Sequence, residues 1–314
     1  MSLLHNIYSK KKLKSDLLKN YSYRITLSFY KYFDISDPYA FRNLIYEKFY
    51  ELKILGRIYI AKEGINAQIS ISKKKINIFK EFLYNINDNF HNIHINYALN
   101  DKPSFWVLQV KVKKTIVADG LVHNIFDLKK SGTYLQPIQV NDMIKKKNTV
   151  VVDIRNDYEY AIGHFENAIH IPGSKFRDQL KVIVPELKKF KNHNIVMYCT
   201  GGIRCEKATS WIKIHNFQNV YHIYGGILNY INESRKKGFL SMFQGRNFVF
   251  DNRMTERVSH HVFSKCKNCD VPCNYYINCK NNYCHKLFLQ CKMCNTKYSG
   301  CCSKLCKKLF LKSL

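Results

Sequence analysis

Cysteine crowding near the end of the chain is the strongest constraint on how this sequence can fold. Ten of the twelve cysteines lie between Cys266 and Cys306, and this stretch has too few aliphatic residues to build a core unaided. Because an intracellular chain keeps its thiols reduced, such crowding favours metal binding over disulfides. Two C-x-x-C pairs have the spacing of tetrahedral zinc ligands, namely Cys266 with Cys269 and Cys291 with Cys294.

The remaining cysteines allow a second metal site whose ligands the spacing does not assign. It would take four ligands from Cys273, Cys279, Cys284, His285, Cys301, Cys302 and Cys306. We therefore treat all ten cysteines of the stretch as candidate ligands and expect zinc to be the ion. An iron–sulfur cluster, metal-free packing of the thiols and disulfides in an oxidised sample stay open as alternatives.

Length and composition predict a soluble protein of several domains. The chain has 314 residues, which suits two or three domains, and its 46% hydrophobic and 24% charged residues exclude wholesale disorder. No apolar run approaches the ~20 residues of a transmembrane helix. Residues 1–20 are rich in lysine and lack the apolar stretch of a secretory signal. We expect a cytoplasmic protein without a membrane partner.

The charge balance favours a polyanionic partner. Lys and Arg number 51 against 23 Asp and Glu, which gives a formal net charge of +28. Such an excess is typical of proteins that bind nucleic acid. It also arises in AT-rich genomes, which enrich Lys, Asn, Ile, Tyr and Phe together. Charge alone thus permits nucleic-acid binding without establishing it.

Hydrophobic patterning divides the chain into five segments, which are 1–21 (a basic arm), 22–98, 99–145 (a connector), 146–240 and 241–314 (the cysteine-rich region). The second segment alternates short strands and helices in the order β-α-β-β-α-β, at 23–30, 38–55, 57–61, 65–71, 73–85 and 91–97. That order is typical of a small ferredoxin-like α+β domain. The connector holds one further predicted strand, at 106–112.

The fourth segment carries the chemistry. Its strands interleave with helices, which is typical of a parallel α/β sheet. A buried strand at 195–198 runs directly into Cys199, and two glycines and a helix follow. The loop amides, the helix N-terminus and Arg204 favour negative charge at this strand end, so we expect Cys199 to be a reactive thiolate. The alternative is an inert buried cysteine before a glycine turn.

Residues 199–204 resemble the active-site loop of rhodaneses, C-x-x-G-x-R, and the upstream segments 152–155, 159 and 163–172 match that family's D-x-R, E and G-H-I-x-x-A-x-x-I-P signatures. The resemblance covers about 146–240 and implies a cysteine that carries a persulfide. A cysteine phosphatase is excluded because its arginine stands six positions after the cysteine, where this chain has Cys205. We expect a loop of Cys199, Thr200, Gly201, Gly202, Ile203, Arg204 and Cys205, braced by Asp153, Arg155 and Glu159.

A narrower resemblance spans about residues 22–306. The segments 61–67, 197–208, 225–230 and 245–253, taken with the cysteine-rich region, resemble the bacterial tRNA uridine(34) hydroxylase family. That resemblance implies a ferredoxin-like domain, a rhodanese domain and a cysteine-rich C-terminus. It also implies an enzyme that makes 5-hydroxyuridine at the wobble position, with molecular oxygen as co-substrate and the anticodon region of tRNA as partner. Thr115 departs from the family pattern, where we expect Glu, and some members are expected to extend further beyond Cys306.

The resemblance assigns Cys199 as the catalytic residue. Cys205 belongs to the motif of this subgroup, and it either resolves an oxidised Cys199 or packs against the helix that follows. Thiolate addition to carbon 6 of uracil would make carbon 5 nucleophilic, and a persulfide route competes with this hypothesis. Two other functions stay open, a sulfurtransferase that passes persulfide sulfur to tRNA or a protein, and an RNA-binding module without activity.

Overall fold

The computed structural model of the chain describes residues 9, 12–15, 23–100, 102–121 and 127–313. The predicted fold class is confirmed, since an α+β domain, a parallel-sheet domain and a cysteine-rich region follow one another along the chain. The predicted basic arm lies almost wholly outside the described residues. Within the described part, no helix has the length and apolar character needed to span a bilayer.

The first domain has the predicted β-α-β-β-α-β order. Its elements are β1 (Arg24–Tyr32), α1 (Pro38–Glu51), β2 (Leu55–Ala61), β3 (Gly64–Ser72), α2 (Ile76–Ile86) and β4 (Asn96–Tyr97). A fifth strand from the connector, β5 (Leu108–Val112), pairs in parallel with β2, and the sheet order is β4-β1-β3-β2-β5. One sheet face packs its apolar residues against α1 and α2, while the other face is polar.

Two elements of this domain are shorter than predicted. Helix α1 ends at Glu51 and not at residue 55, because Lys53 adopts a left-handed conformation with φ 56° and the chain turns at once into β2. The last strand was expected over residues 91–97. It is limited to β4, because Asp88–Phe90 form a 3₁₀ turn and only two residues of the segment lie opposite β1.

The second domain is built on a parallel sheet in the order β6-β11-β10-β7-β9. Its elements are β6 (Thr133–Leu135), α3 (Pro137–Ile144), β7 (Thr149–Asp153), α4 (Asp157–Tyr160), β8 (Gly163–Phe165), β9 (Ile169–His170), α5 (Phe176–Leu187), β10 (Asn194–Tyr198), α6 (Ile203–Ile214), β11 (Val220–Ile223) and α7 (Gly226–Lys237). Strand β10 lies at the centre and is almost entirely buried. Helix α6 begins at Ile203, directly after the glycines, because Gly202 supplies the left-handed N-cap.

The cysteine-rich region is attached to the second domain through β12 (Phe243–Phe248), which pairs antiparallel with β8 and with β13 (Thr255–Arg257). Beyond it come β14 (Tyr276–Asn278), β15 (Leu287–Leu289), α8 (Lys292–Lys297) and α9 (Lys304–Leu311). Two small buried clusters hold this part together, and cysteines make up most of both.

Candidate active site

A glycine-rich turn holds Cys199 at the carboxyl end of β10. The backbone N–H of Gly202 donates to Cys199 Sγ over 3.1 Å, and its φ of 101° is one that favours glycine. On the other side, a Cβ at Gly226 would lie 2.6 Å from the carbonyl oxygen of Cys199. Because that position is glycine, α7 approaches closely and the N–H of Ile227 donates to the same carbonyl over 3.0 Å. The loop is therefore fixed from both sides.

The Cys199 thiol is buried yet ionises readily. Burial raises its pKa, but a hydrogen bond from Cys205, the charge of Arg204 and the N–H groups of Arg204 and Gly202 outweigh burial and lower the pKa to about 6. The thiolate, which is the nucleophilic form, therefore predominates at neutral pH. Burial and the neighbouring Cys199 raise the pKa of Cys205, so Cys205 stays protonated and donates its hydrogen.

A buried carboxylate holds Arg204 against the loop. Arg204 Nη1 and Nη2 donate to the two carboxylate oxygens of Glu159 over 2.7 and 2.9 Å. The Thr200 hydroxyl donates to Glu159 Oε1 over 3.0 Å, and the Glu159 side chain is fully buried. Bidentate pairing of this kind fixes the guanidinium in direction as well as in place. Glu159 thus lies where a residue that braces the loop is expected.

The other two predicted bracing residues support the strand that leads into the loop. Arg155 Nη2 donates to Asp153 Oδ2 over 2.6 Å and to the carbonyl of Gly163 over 2.5 Å. Its guanidinium also lies 5.5 Å from the ring centre of Tyr198, the last residue of β10. Both charged side chains are fully buried. Their contacts hold the end of β10, and among the described residues Glu159 is the one of the three whose side chain is hydrogen-bonded to side chains of the loop.

Tyrosines of the first domain reach the loop and the first turn of α6, which the sequence reasoning missed. The Tyr30 hydroxyl donates to Glu206 Oε1 over 2.8 Å, and Tyr134 donates to the same oxygen over 2.5 Å. The Tyr32 hydroxyl donates to the carbonyl of Ile203 over 3.3 Å. The alternation of Tyr30 and Tyr32 on β1 placed both on one sheet face, but nothing in the sequence indicated what that face meets.

A buried lysine joins the two domains beside the loop. Lys207 Nζ donates to Glu63 Oε2 over 2.7 Å and also pairs with Asp119, and Lys207 is only 2% exposed. Glu63 Oε1 in turn accepts from the N–H of Ile116 over 2.7 Å. Residue 63 lies in the segment 61–67 that carried part of the family resemblance. Its structural role is to tie the first domain to α6.

A cavity of about 750 Å³ lies between the polar face of the first sheet and the Cys199 loop. Its size is that of a pocket for a small molecule or one nucleotide. Both domains, the connector and the segment after β12 supply its walls. Its polar and charged lining residues include Ser28, Tyr30, Arg57, Asn66, Gln68, Asn96, Lys113, Lys114, Asn156, Lys175, Arg177, Thr200, Arg204 and Arg253.

The cysteine-rich region brings eight of its ten cysteines into two sets of four. The ligating atoms within each set lie within 4.8 Å of one another, and the sets are Cys266, Cys269, Cys291 and Cys294, and Cys279, Cys284, Cys302 and Cys306. The first set is the one that the C-x-x-C spacing predicted. Among the described residues, Cys273, Cys301 and His285 belong to neither set. Cys273 and Cys301 are buried beside the sets and pack as apolar residues.

Three family descriptions match the chain in order. The UPF0176 acylphosphatase like domain matches residues 24–116, the Rhodanese-like domain residues 136–233 and the Rhodanase C-terminal description residues 244–307. The first match includes β5, in agreement with the place of that strand in the first sheet.

Relatives match over almost the whole chain. A tRNA uridine(34) hydroxylase of Buchnera aphidicola subsp. Acyrthosiphon pisum (strain Tuc7) is 51% identical over 99% of this chain and 96% of its own length. The proteins of that name from Photorhabdus laumondii and Escherichia fergusonii are 49% and 48% identical, each over 98% of this chain and 88% of their own length. Similarity of this extent leaves the family in no doubt: the chain belongs to the tRNA uridine(34) hydroxylase family.

Proposed function

We propose that this chain hydroxylates carbon 5 of uridine 34 in tRNA, with molecular oxygen as co-substrate, and yields 5-hydroxyuridine. The observation that carries the proposal is an activated thiol, Cys199, on the wall of a 750 Å³ cavity with basic and amide side chains. The relatives are tRNA uridine(34) hydroxylases by name, which supports hydroxylation of uridine 34 as the reaction. The proposed place of action is the cytoplasm, where tRNA is modified.

The cavity suits a nucleotide turned out of a single-stranded loop. Bases of an anticodon loop can be splayed out and bound in a protein pocket at a lower cost than a base inside a helix, which must first be unpaired. Lys113, Lys114, Lys175 and Arg177 line the same cavity, and such side chains neutralise the phosphates on either side of the bound base. The net charge of +28 agrees with this partner.

Cys199 is the proposed catalytic residue. Its thiolate adds to carbon 6 of the uracil, forming a C–S bond and an enolate that makes carbon 5 nucleophilic. Dioxygen gives one atom to carbon 5, and the other leaves as water after uptake of two protons and two electrons from an external reductant. Loss of the carbon 5 proton and departure of the thiolate then restore the ring. Arg204, held by Glu159, keeps Cys199 ionised both before the thiolate adds to the ring and after it departs.

We also propose that each of the two four-cysteine sets holds a zinc ion. Sulfur ligation from four cysteines is the donor set of structural zinc sites. The N–H groups of Cys291 and Cys302 point at sulfurs of their own sets, each over 3.4 Å, on Cys266 and Cys279. Hydrogen bonds of this kind support thiolates that bind a metal. Zinc would supply structure here, and no step of the reaction involves it.

The test is mass spectrometry of nucleosides from an unmodified tRNA transcript. The transcript is incubated with the wild type and with Cys199→Ala, in air and without oxygen. We expect one added oxygen on uridine 34 only with the wild type in air. Sulfur on tRNA or on an acceptor protein would instead establish the sulfurtransferase. Tight tRNA binding without product, unchanged in Cys199→Ala, would establish an RNA-binding module.

A further inference from the structure

The polar face of the first sheet forms the cavity wall that faces the Cys199 loop. On that face, Ser28 pairs in register with Gln68 and with Asn96, and Gln68 pairs with Arg57. These four side chains therefore form one row across strands β4, β1, β3 and β2. All four line the cavity. The row is a rigid surface, since its backbone is held by strand pairing on both sides.

Several polar groups near the row are already engaged within the protein. The Thr26 hydroxyl is hydrogen-bonded to that of Ser104 over 2.6 Å, and the Asn66 amide donates to the carbonyl of Ile116 over 3.0 Å. Asn96 is hydrogen-bonded to His94 over 3.0 Å. By contrast, the amide of Gln68 makes no hydrogen bond to any described residue, although it lines the cavity.

Arg57 stands beside Gln68, and most of its donors have no partner among the described residues. Its recorded hydrogen bond is from Nη1 to the carbonyl of Phe250 over 3.5 Å. Phe250 also lines the cavity, and an aromatic ring in such a pocket offers a face on which a base can stack. The pair thus presents one amide acceptor, one amide donor group and the further donors of a guanidinium.

We propose that Gln68 and Arg57 read the Watson–Crick edge of the target uracil. Uracil presents an N3–H donor between two carbonyl acceptors. The Gln68 carbonyl accepts from N3–H while its amide nitrogen donates to the carbonyl at carbon 2, and Arg57 donates to the carbonyl at carbon 4. Cytosine carries an amino donor at carbon 4, which would meet the guanidinium of Arg57, a group with donors only. Its N3 and its carbon 2 carbonyl are both acceptors, so neither orientation of the Gln68 amide satisfies both. The assignment rests on the proposed function. It makes Gln68 and Arg57 the residues by which the enzyme selects uracil over cytosine.

The test compares two glutamines of the same sheet. Gln109 on β5 pairs in register with Arg57, at the next position along the row, but does not line the cavity. Gln68→Met should lower kcat/KM for a uridine 34 stem-loop by about tenfold to a hundredfold, the range expected for loss of a bidentate base contact. Gln109→Met should change it less than twofold. Alkylation of Cys199 by iodoacetamide should proceed at the same rate in both variants.

Binding gives a readout independent of product formation. Fluorescence anisotropy with the full chain carrying Cys199→Ser should show tighter binding of a stem-loop with uridine at position 34 than with cytidine. Addition of Gln68→Met should abolish that preference, and Gln68→Glu should do so too, because its carboxylate repels a uracil carbonyl. A preference for uridine that is retained in Gln68→Met and in Gln68→Glu would overturn the inference. Equal losses of kcat/KM in Gln68→Met and Gln109→Met would also overturn it. If the wild type makes no product but shows a preference that depends on Gln68, the proposed reaction fails and the uracil site stands.

Discussion

Two regions of this molecule are built around cysteines, and the two use them in opposite ways. In the second domain, Cys199 and Cys205 are fully buried at the end of a sheet whose core is aliphatic and aromatic. In the cysteine-rich region, the cysteines are most of the buried core. The second domain has a hydrophobic core that does not depend on its cysteines, whereas the core of the cysteine-rich region does.

The difference explains why one cysteine is the proposed nucleophile and the others are proposed ligands. Around Cys199, a fixed arginine and backbone N–H groups stabilise the thiolate without forming a bond to the sulfur, so the sulfur stays available to react. In the cysteine-rich region, four sulfurs lie within 4.8 Å of one another, and a metal ion is the group that compensates such crowding. Reactivity thus follows from what surrounds the sulfur.

The largest effect is expected when a metal ligand of the cysteine-rich region is removed. We expect two zinc ions per chain and the loss of one in Cys291→Ser, with the cysteine-rich region becoming sensitive to protease. Binding of structural zinc is worth on the order of 10 kcal/mol of folding free energy. Elemental analysis and limited proteolysis measure both effects. Cys273→Ser is the matched control, since Cys273 is buried beside the first set but is outside it. Equal zinc loss in the two variants would refute the assignment of ligands.

The second largest effect is expected when the ion pair that holds Arg204 against the loop is broken. Glu159→Gln leaves the buried Arg204 guanidinium without its carboxylate, which should lower the free energy of unfolding by about 3–5 kcal/mol. Urea denaturation measures it. Glu166→Gln, at an exposed position, should cost less than about 0.5 kcal/mol. Both variants should keep their metal. Zinc loss in Glu159→Gln would show that the two cysteine regions do not fold independently.

Local patterns allowed much of the fold and the centre of the site to be predicted. The order of elements in the first domain follows from hydrophobic alternation, and Cys199 follows from a buried strand that runs into glycines. The first four-cysteine set follows from spacing alone. Each of these depends on residues close together in the sequence, where period and spacing carry direct physical meaning.

Contacts between distant segments could not be predicted in the same way. Strand β5 joins the first sheet by a parallel pairing with β2, and no local pattern encodes a partner strand. The second four-cysteine set depends on turns that bring Cys279 and Cys306 together. Tyr30 and Glu63 read as ordinary residues of a small α+β domain, although they contact α6. Only the family resemblance at 61–67 indicated that this segment had a special role.

A finer test concerns how the protein lowers the pKa of Cys199. Alkylation by iodoacetamide should rise through a midpoint near pH 6 in the wild type, because that is where the thiolate forms. Cys205→Ala removes a hydrogen bond to the thiolate and should move the midpoint upward, whereas Cys205→Ser keeps a donor and should move it less. A folded-state pKa below that of a free thiol means that this contribution to stability is lost as the pH falls through about 6. An unchanged midpoint in Cys205→Ala would remove Cys205 from the activation of Cys199.

The smallest expected effect tests how the first domain is joined to the loop. Tyr30→Phe removes one of two hydroxyls that donate to Glu206 Oε1, and it should lower the free energy of unfolding by about 1 kcal/mol, the usual value for one hydrogen bond. Because Tyr134 satisfies the same oxygen, removing both hydroxyls should cost more than the sum of the single changes. Urea denaturation of Tyr30→Phe, Tyr134→Phe and the double variant measures this coupling. Strict additivity would mean that Glu206 finds water when either tyrosine is lost. A larger combined loss would show that the junction, unlike the cysteine-rich region, is held by shared hydrogen bonds between side chains.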